Sequence, residues 1–255
     1  MTPAIRVAAL ALAALAIAGC AAGSGPRTPR KVIDRVLREA PYAAQPSLIV
    51  AREIEFARAA REDGQWTAFR AFATDDALLH GRNGPVLAKP VLGTLDDPEK
   101  AVQWVPRVVM MSCDGKTAVS QGRFLDPEGN VGTFVTVWER DGYSDDYKWS
   151  YDVGANDDPQ PPRKDAEEGV LVVTAYDTIQ GLVADCPQAG EAVPAPEPVA
   201  RPADVRAGEQ LSADGTLRWR WEHHADGTKR VRADYYTSGA WEMVIDQPLP
   251  ASPPE

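Results

Sequence analysis

Glu53 is the residue in this 255-residue chain whose position most needs a chemical explanation. In "LIVAREIEFARAARED", Ile49, Val50, Ile54, Phe56, Ala57 and Ala60 share one broad helical arc, and Glu53 falls inside it. A carboxylate buried there without partners costs several kcal/mol. Three readings stay open: a pocket carboxylate that moves protons, a buried group satisfied by backbone or tryptophan N–H donors, or a partly exposed side chain. His80 follows two leucines and precedes Gly81. Histidine titrates near neutrality, so it is a second acid–base candidate, against the plainer reading of a strand-end histidine. Asp76 in "TDDA" and Asp152 at the end of "YKWSYD" read as turn or cap acceptors before they read as bases. Strand alternation puts Trp149 and Tyr151 on one face and Ser150 and Asp152 on the other. Tyr151 and Asp152 therefore share a cavity only if a bulge intervenes. Adjacent His223 and His224 point to opposite sides of a strand, which argues against a shared metal. The sequence has no nucleophile elbow, zinc spacing or phosphate-binding loop, so no metal or cofactor is expected.

The elements that would position these groups change period along the chain. Helices are expected over 47–63, with Ser47 as cap, over 65–73, where Trp66, Phe69 and Phe72 recur, and from Pro98 to Trp104. After Pro106, "RVVMMSC", "TAVSQGRF", "GTFVTVWER" and "YKWSYDVG" read as strands separated by hairpin signals. "VLVVTAY" and "IQGLVADC" supply one or two more. Residues 187–207 contain five prolines and read as a linker. Beyond it "LRWRWEH", "KRVRADYY" and "AWEMVI" form an antiparallel piece with one apolar face, needing a surface to cover it. The expected fold class is therefore α+β, three helices on one face of a curved sheet.

The opening "RVAALALAALAIAGC" has one basic residue, Arg6, and about a dozen apolar residues, the layout of a secretory signal. The run is too short for a bilayer core of about 30 Å. It ends in Ile17-Ala18-Gly19-Cys20, which resembles a bacterial lipobox. That resemblance implies a signal peptide over 1–19, palmitate-type acylation of Cys20, and a lipoprotein anchored by its lipid in the cell envelope. Ala21 after the cysteine implies the outer membrane, facing the periplasm. Residues 20–46 then read as a tether followed by a short helix in "KVIDRVLREA". In an oxidising envelope Cys113 and Cys186 are expected to form a disulfide. The net charge of −10, one more negative without Arg6, argues against nucleic acid as a partner.

The order of elements in 47–155 resembles the NTF2-like superfamily, in particular its SnoaL-like and DUF4440-type members. The motifs are E-x-x-F-A-R-A-A at 53–60, Gly64-x-Trp66, the acidic 74–77 stretch, and Trp149-x-x-Asp152. The resemblance implies a cone of three helices packed on a curved antiparallel sheet, spanning 47–186. The C-terminal β-meander of 208–247, followed by a tail over 248–255, lies outside it. It also implies a pocket, lined here by Trp66, Phe69, Trp104 and Trp138, and frequent homodimers. Some members are isomerases, dehydratases or cyclases, and many only bind. The expectation is a non-catalytic protein binding a small apolar ligand or an envelope partner. The alternative is a small isomerase, dehydratase or cyclase using Glu53 assisted by His80. A third reading is a scaffold with an apolar patch around Trp219, Trp221 or Trp241.

Overall fold

The computed structural model describes residues 44–162, 178–187, 192–200 and 202–252. Cys20, the signal segment, the helix expected in 31–40 and the strand expected in "VLVVTAY" lie outside the described residues.

The chain enters through helix α1 (Pro46–Glu62), with Gln45 rather than the expected Ser47 at the cap position and Pro46 opening the first turn, where its missing N–H is not needed. Helix α2 follows (Gln65–Phe72). A hairpin of β1 (Ala73–Gly81) and β2 (Gly84–Leu87) leads into the five-residue helix α3 (Ala88–Leu92). Strands β3 (Gln103–Met111), β4 (Thr117–Leu125), β5 (Val131–Glu139) and β6 (Lys148–Asn156) form a meander, and β7 (Gln180–Val183) joins its edge. The order is β2-β1-β6-β5-β4-β3-β7, antiparallel except for the β1–β6 and β3–β7 pairs. Strands β8 (Arg206–Leu211), β9 (Leu217–His223), β10 (Lys229–Thr237) and β11 (Ala240–Leu249) make a second, antiparallel sheet.

This architecture corrects the expected three-helix cone. The described residues hold three helices against eleven strands, and the helix expected from Pro98 to Trp104 does not form. Val102 instead donates its N–H to the Gln65 side chain, and β3 starts at Gln103. Pro106 disfavours helical backbone at Val105, and pairing with β4 claims the segment for the sheet. The acidic stretch around Asp76, expected as a turn, lies in β1, beside β6.

The seven-stranded sheet is the middle layer of three. On one side Val109, Met111, Ala118, Trp138 and Trp149 pack under the helices with Ile49, Phe56 and Phe72. On the other Met110, Val119, Val135, Val137, Tyr151 and Val153 meet Leu217, Trp219, Val231, Ala233 and Tyr235 of the second sheet. The alternation of Val109, Met110 and Met111 between layers follows from the two-residue period of a strand. Both faces are covered, so β5 is buried along nearly its whole length. Trp219 is buried and Trp221 packs against the same layer, so these two do not form an exposed patch.

One end of this sandwich is tightly tied. The turns Ser112–Thr117 and Ser212–Leu217 share a Ser-x-Asp-Gly pattern, each serine hydroxyl donating to its own aspartate at 2.6 Å. They lie against each other: Cys113 N–H donates to Thr216 Oγ1 at 2.9 Å and Asp114 N–H to Asp214 Oδ2 at 2.8 Å. Cys113 is bonded to Cys186, just beyond β7, and Asp185 N–H donates to the Tyr236 carbonyl.

The disulfide closes a loop of sequence separation 73, which on the chain-entropy account restricts the unfolded chain by about 4 kcal/mol. Replacing both Cys113 and Cys186 by serine is expected to lower urea-unfolding stability by about that amount. An unchanged midpoint would show that the surrounding hydrogen bonds alone hold this end.

Candidate functional site

Glu53 is 1% exposed and lies under α1 against the helix-side face of the sheet. Its Oε1 accepts hydrogen bonds from Ser120 Oγ at 2.5 Å and Trp138 Nε1 at 3.1 Å. Oε2 accepts from Trp104 Nε1 at 2.9 Å. Burial raises its pKa above the ordinary carboxylate value, opposed by the hydrogen bonds from Ser120, Trp104 and Trp138. Of the three readings, the geometry matches a buried group satisfied by tryptophan donors.

Beside this network an aromatic-walled cavity of about 220 Å³ opens between α2 and the sheet. Trp66 and Phe69 from α2 and Trp104 from β3 form one wall, and Phe124 and Phe134 the other. Trp66, Phe69 and Trp104 thus lie where a pocket lining was expected. Trp138 does not line it; fully buried, it packs edge-on to Phe56 and serves Glu53. Space for the Phe124 and Phe134 rings comes from glycines in the neighbouring strands. A Cβ on Gly132 would stand 2.1 Å from Phe124, and one on Gly122 would stand 2.6 Å from Phe134.

The carboxyl at the cavity wall is Asp152, not Glu53. Strand β6 bulges against β5, with Val137 opposite Tyr151 but Trp138 opposite Trp149, so Ser150 is the extra residue. Trp149 consequently packs under the helices while Tyr151 faces the second sheet. Asp152 returns to the helix side, beside Thr136, whose Oγ1 donates to its Oδ2 at 2.6 Å. Burial lifts the Asp152 carboxyl from 3.8 to about 7; the Thr136 hydrogen bond opposes the rise and nearby Glu53 adds to it. A carboxyl that changes charge near neutrality in an apolar cavity can hold a polar ligand group or exchange a proton with it.

His80 does not assist Glu53. It lies on the other side of the sheet, with Nδ1 2.6 Å from Tyr151 Oη and Nε2 3.0 Å from Nδ1 of His223 on β9. Burial first, then Lys229, His223 and Arg206, push its pKa down to about 3. Asp76 is exposed and accepts from Thr74 Oγ1. His223 is buried and His224 follows at the strand end, where its Nε2 lies 3.6 Å from Glu222. Among the described residues no three or more His, Cys, Asp or Glu side chains form a metal-binding group. No described helix is long and apolar enough to cross a membrane.

No protein-family profile matches the sequence, and no curated protein matches it. One solved structure, from Exiguobacterium sibiricum and described as a calcium/calmodulin-dependent kinase II association domain, is 16% identical. The alignment covers 54% of this chain and 99% of that one, with a TM-score of 0.27. A likeness of that size carries no argument about function.

The raised Asp152 pKa has a definite sign. In the unfolded chain the carboxyl ionises near 3.8, whereas in the fold it keeps its proton to about 7. Rising pH in that window therefore favours the unfolded state. Asp152→Asn, which can still accept from Thr136, is expected to gain on the order of 3 kcal/mol over the parent at pH above about 7. The gain disappears at pH below about 4, as denaturant unfolding across this range would show.

Proposed function

We propose that this chain is a lipid-anchored envelope protein whose described domain binds, without transforming it, a small and largely apolar molecule carrying one polar group. The observation that supports this most is the cavity itself: aromatic walls with a single half-buried carboxyl, Asp152, among them. At about 220 Å³ it exceeds the roughly 150 Å³ of an apolar cavity that accepts benzene. It therefore suits a one- or two-ring molecule whose polar group meets Asp152. Kinship with the NTF2-like superfamily belongs to the proposal; it rests on the motifs quoted for 47–155 and does not carry the three-helix cone with it.

Acid–base catalysis of the isomerase or dehydratase type is the second reading, favoured by the Asp152 pKa of about 7. Such a reaction also needs donors for a developing oxyanion. Thr136 and Trp104 in the lining already donate to Asp152 and Glu53. Trp66 and Gln65 bring further N–H groups, but among the described residues Asp152 is the one titratable side chain of the lining, with no second acid or base to complete a proton shuttle. Binding is therefore the better-supported function.

Quenching of tryptophan fluorescence tests it, since Trp66 and Trp104 line the cavity. With 2-naphthol and naphthalene as probes, the naphthol is expected to bind roughly tenfold more tightly through its hydrogen bond to Asp152. Asp152→Leu should remove that preference. A Cβ on Gly154 would stand 3.4 Å from Phe124, in ordinary contact, so Gly154→Leu should fold, fill the cavity and abolish binding. Probe binding indifferent to Gly154→Leu would place the probe elsewhere and overturn the reading.

The anchor is tested separately. Mass spectrometry of the amino-terminal peptide is expected to find Cys20 acylated, and Cys20→Ser to move the protein from the membrane to the soluble fraction. An unmodified Cys20 would end the lipoprotein proposal.

A further inference from the structure

On the far side of the sheet from the aromatic cavity, two clefts of about 310 and 230 Å³ meet at His223. They lie between the β1–β2 turn and the β9–β10 turn. Arg82, Asn83, Arg206, His224 and Ser252 line one or the other with His223. Lys229 lies behind Ser252. It is 2% exposed, and its Nζ donates to Ser252 Oγ at 3.2 Å. That hydroxyl is its one hydrogen-bond partner among the described residues, and Lys229 forms no described ion pair. A buried ammonium is normally paired.

The nearby acids are mostly committed elsewhere. Glu222 pairs with Arg232 at 2.6 Å and lies 3.6 Å from His224. Asp226 Oδ1 accepts both the N–H and the hydroxyl of Thr228 in its own turn. Asp204, exposed, lines the smaller cleft. Positive potential therefore dominates at His223: burial lowers its pKa first, then Arg206, Lys229 and His224, with Asp226 the weakest and opposing influence.

We propose that this cleft binds a small oxyanion, seated over His223 between Arg206 and the Ser252–Lys229 pair. Arg206 already reaches across the cleft, donating to the Asn83 carbonyl, so its charge is held at the site. The oxyanion takes hydrogen bonds from the guanidinium, the serine hydroxyl and the outer nitrogen of His223, the geometry for which these groups are suited.

The site also couples to a proton. Tyr151 Oη and His223 Nδ1 flank the two nitrogens of His80 at 2.6 and 3.0 Å, and both are able to accept. The chain thus has acceptors for one additional proton on His80, while Lys229 and Arg206 oppose it. An oxyanion in the cleft cancels that opposition, and by linkage its own affinity rises as pH falls.

Titration with inorganic sulfate, whose charge is constant across the pH range used, tests both statements on the full chain. Calorimetry should give saturable binding, tighter at pH about 4 than at pH about 7, the side on which His80, with a pKa of about 3, can take up its proton, with the ring NMR signals of His223 and His80 shifting together. Arg206→Ala should weaken binding roughly tenfold or more, the loss of one charge-assisted hydrogen bond, and Lys229→Met likewise. Should Lys229→Met fail to fold, exposed Arg206 decides the matter. An equal response to sodium chloride at matched ionic strength, or binding indifferent to Arg206→Ala, overturns the site. Sulfate binding independent of pH overturns the coupling to the histidine pair. Neither result bears on 2-naphthol in the aromatic cavity, so the two proposals fail separately.

Discussion

A carboxylate sealed beneath a helix has to be met by donors, and the need to satisfy Glu53 orders much of this domain. Ser120 on β4, Trp138 on β5 and Trp104 on β3 converge on it, fixing α1 against three strands at one point. Because Trp104 spends its N–H on Glu53, its indole is held in one orientation and its face becomes a wall of the cavity. Phe56, one turn further along α1, then packs against Phe69, Phe72, Trp104 and Trp138. An apolar residue at position 53 would remove the reason for these tryptophans to converge, although helix and sheet would still have apolar faces to bury.

The middle sheet separates two kinds of chemistry. Its helix side holds carboxyls in apolar surroundings, both shifted upward by burial. Its other side holds histidines among cations, both shifted downward by burial and by Lys229 and Arg206. Tyr151 and Asp152, adjacent in β6, face one environment each.

Glu53 was legible as an anomaly, because a carboxylate within an apolar helical arc is visible at helical periodicity, and tryptophan donors are among its plausible partners. Asp152 was not legible as a cavity residue. Its surroundings depend on one extra residue at Ser150, and a one-residue change of register exchanges the faces of a strand without altering composition. The strand character of 73–81 was hidden for a different reason. Adjacent aspartates suggest a turn, and parallel pairing with the distant β6 outweighs that local preference. The helix expected at Pro98 failed similarly, its start signal outweighed by long-range pairing with β4. His80 is legible as an acid–base candidate, but its partner comes from a segment 143 residues away that no local pattern connects to it.

The two layers of the β-sandwich are bound unequally at their ends. At one end a disulfide, the paired Ser-x-Asp-Gly turns and the Asp185–Tyr236 bond tie sheet to sheet. At the other a cleft of about 670 Å³ lies between Asp157, Asp158 and the strands carrying Lys229 and Gln247. A single described side-chain bond, Gln121 to Gln247 at 3.0 Å, joins the middle of β4 to β11. Mechanically this is a book with a stitched spine and a lightly clasped fore-edge. Any relative motion of the sheets becomes a rotation about the disulfide, and the clasps that limit it at the far edge are the His80–His223 and Arg206–Asn83 bonds.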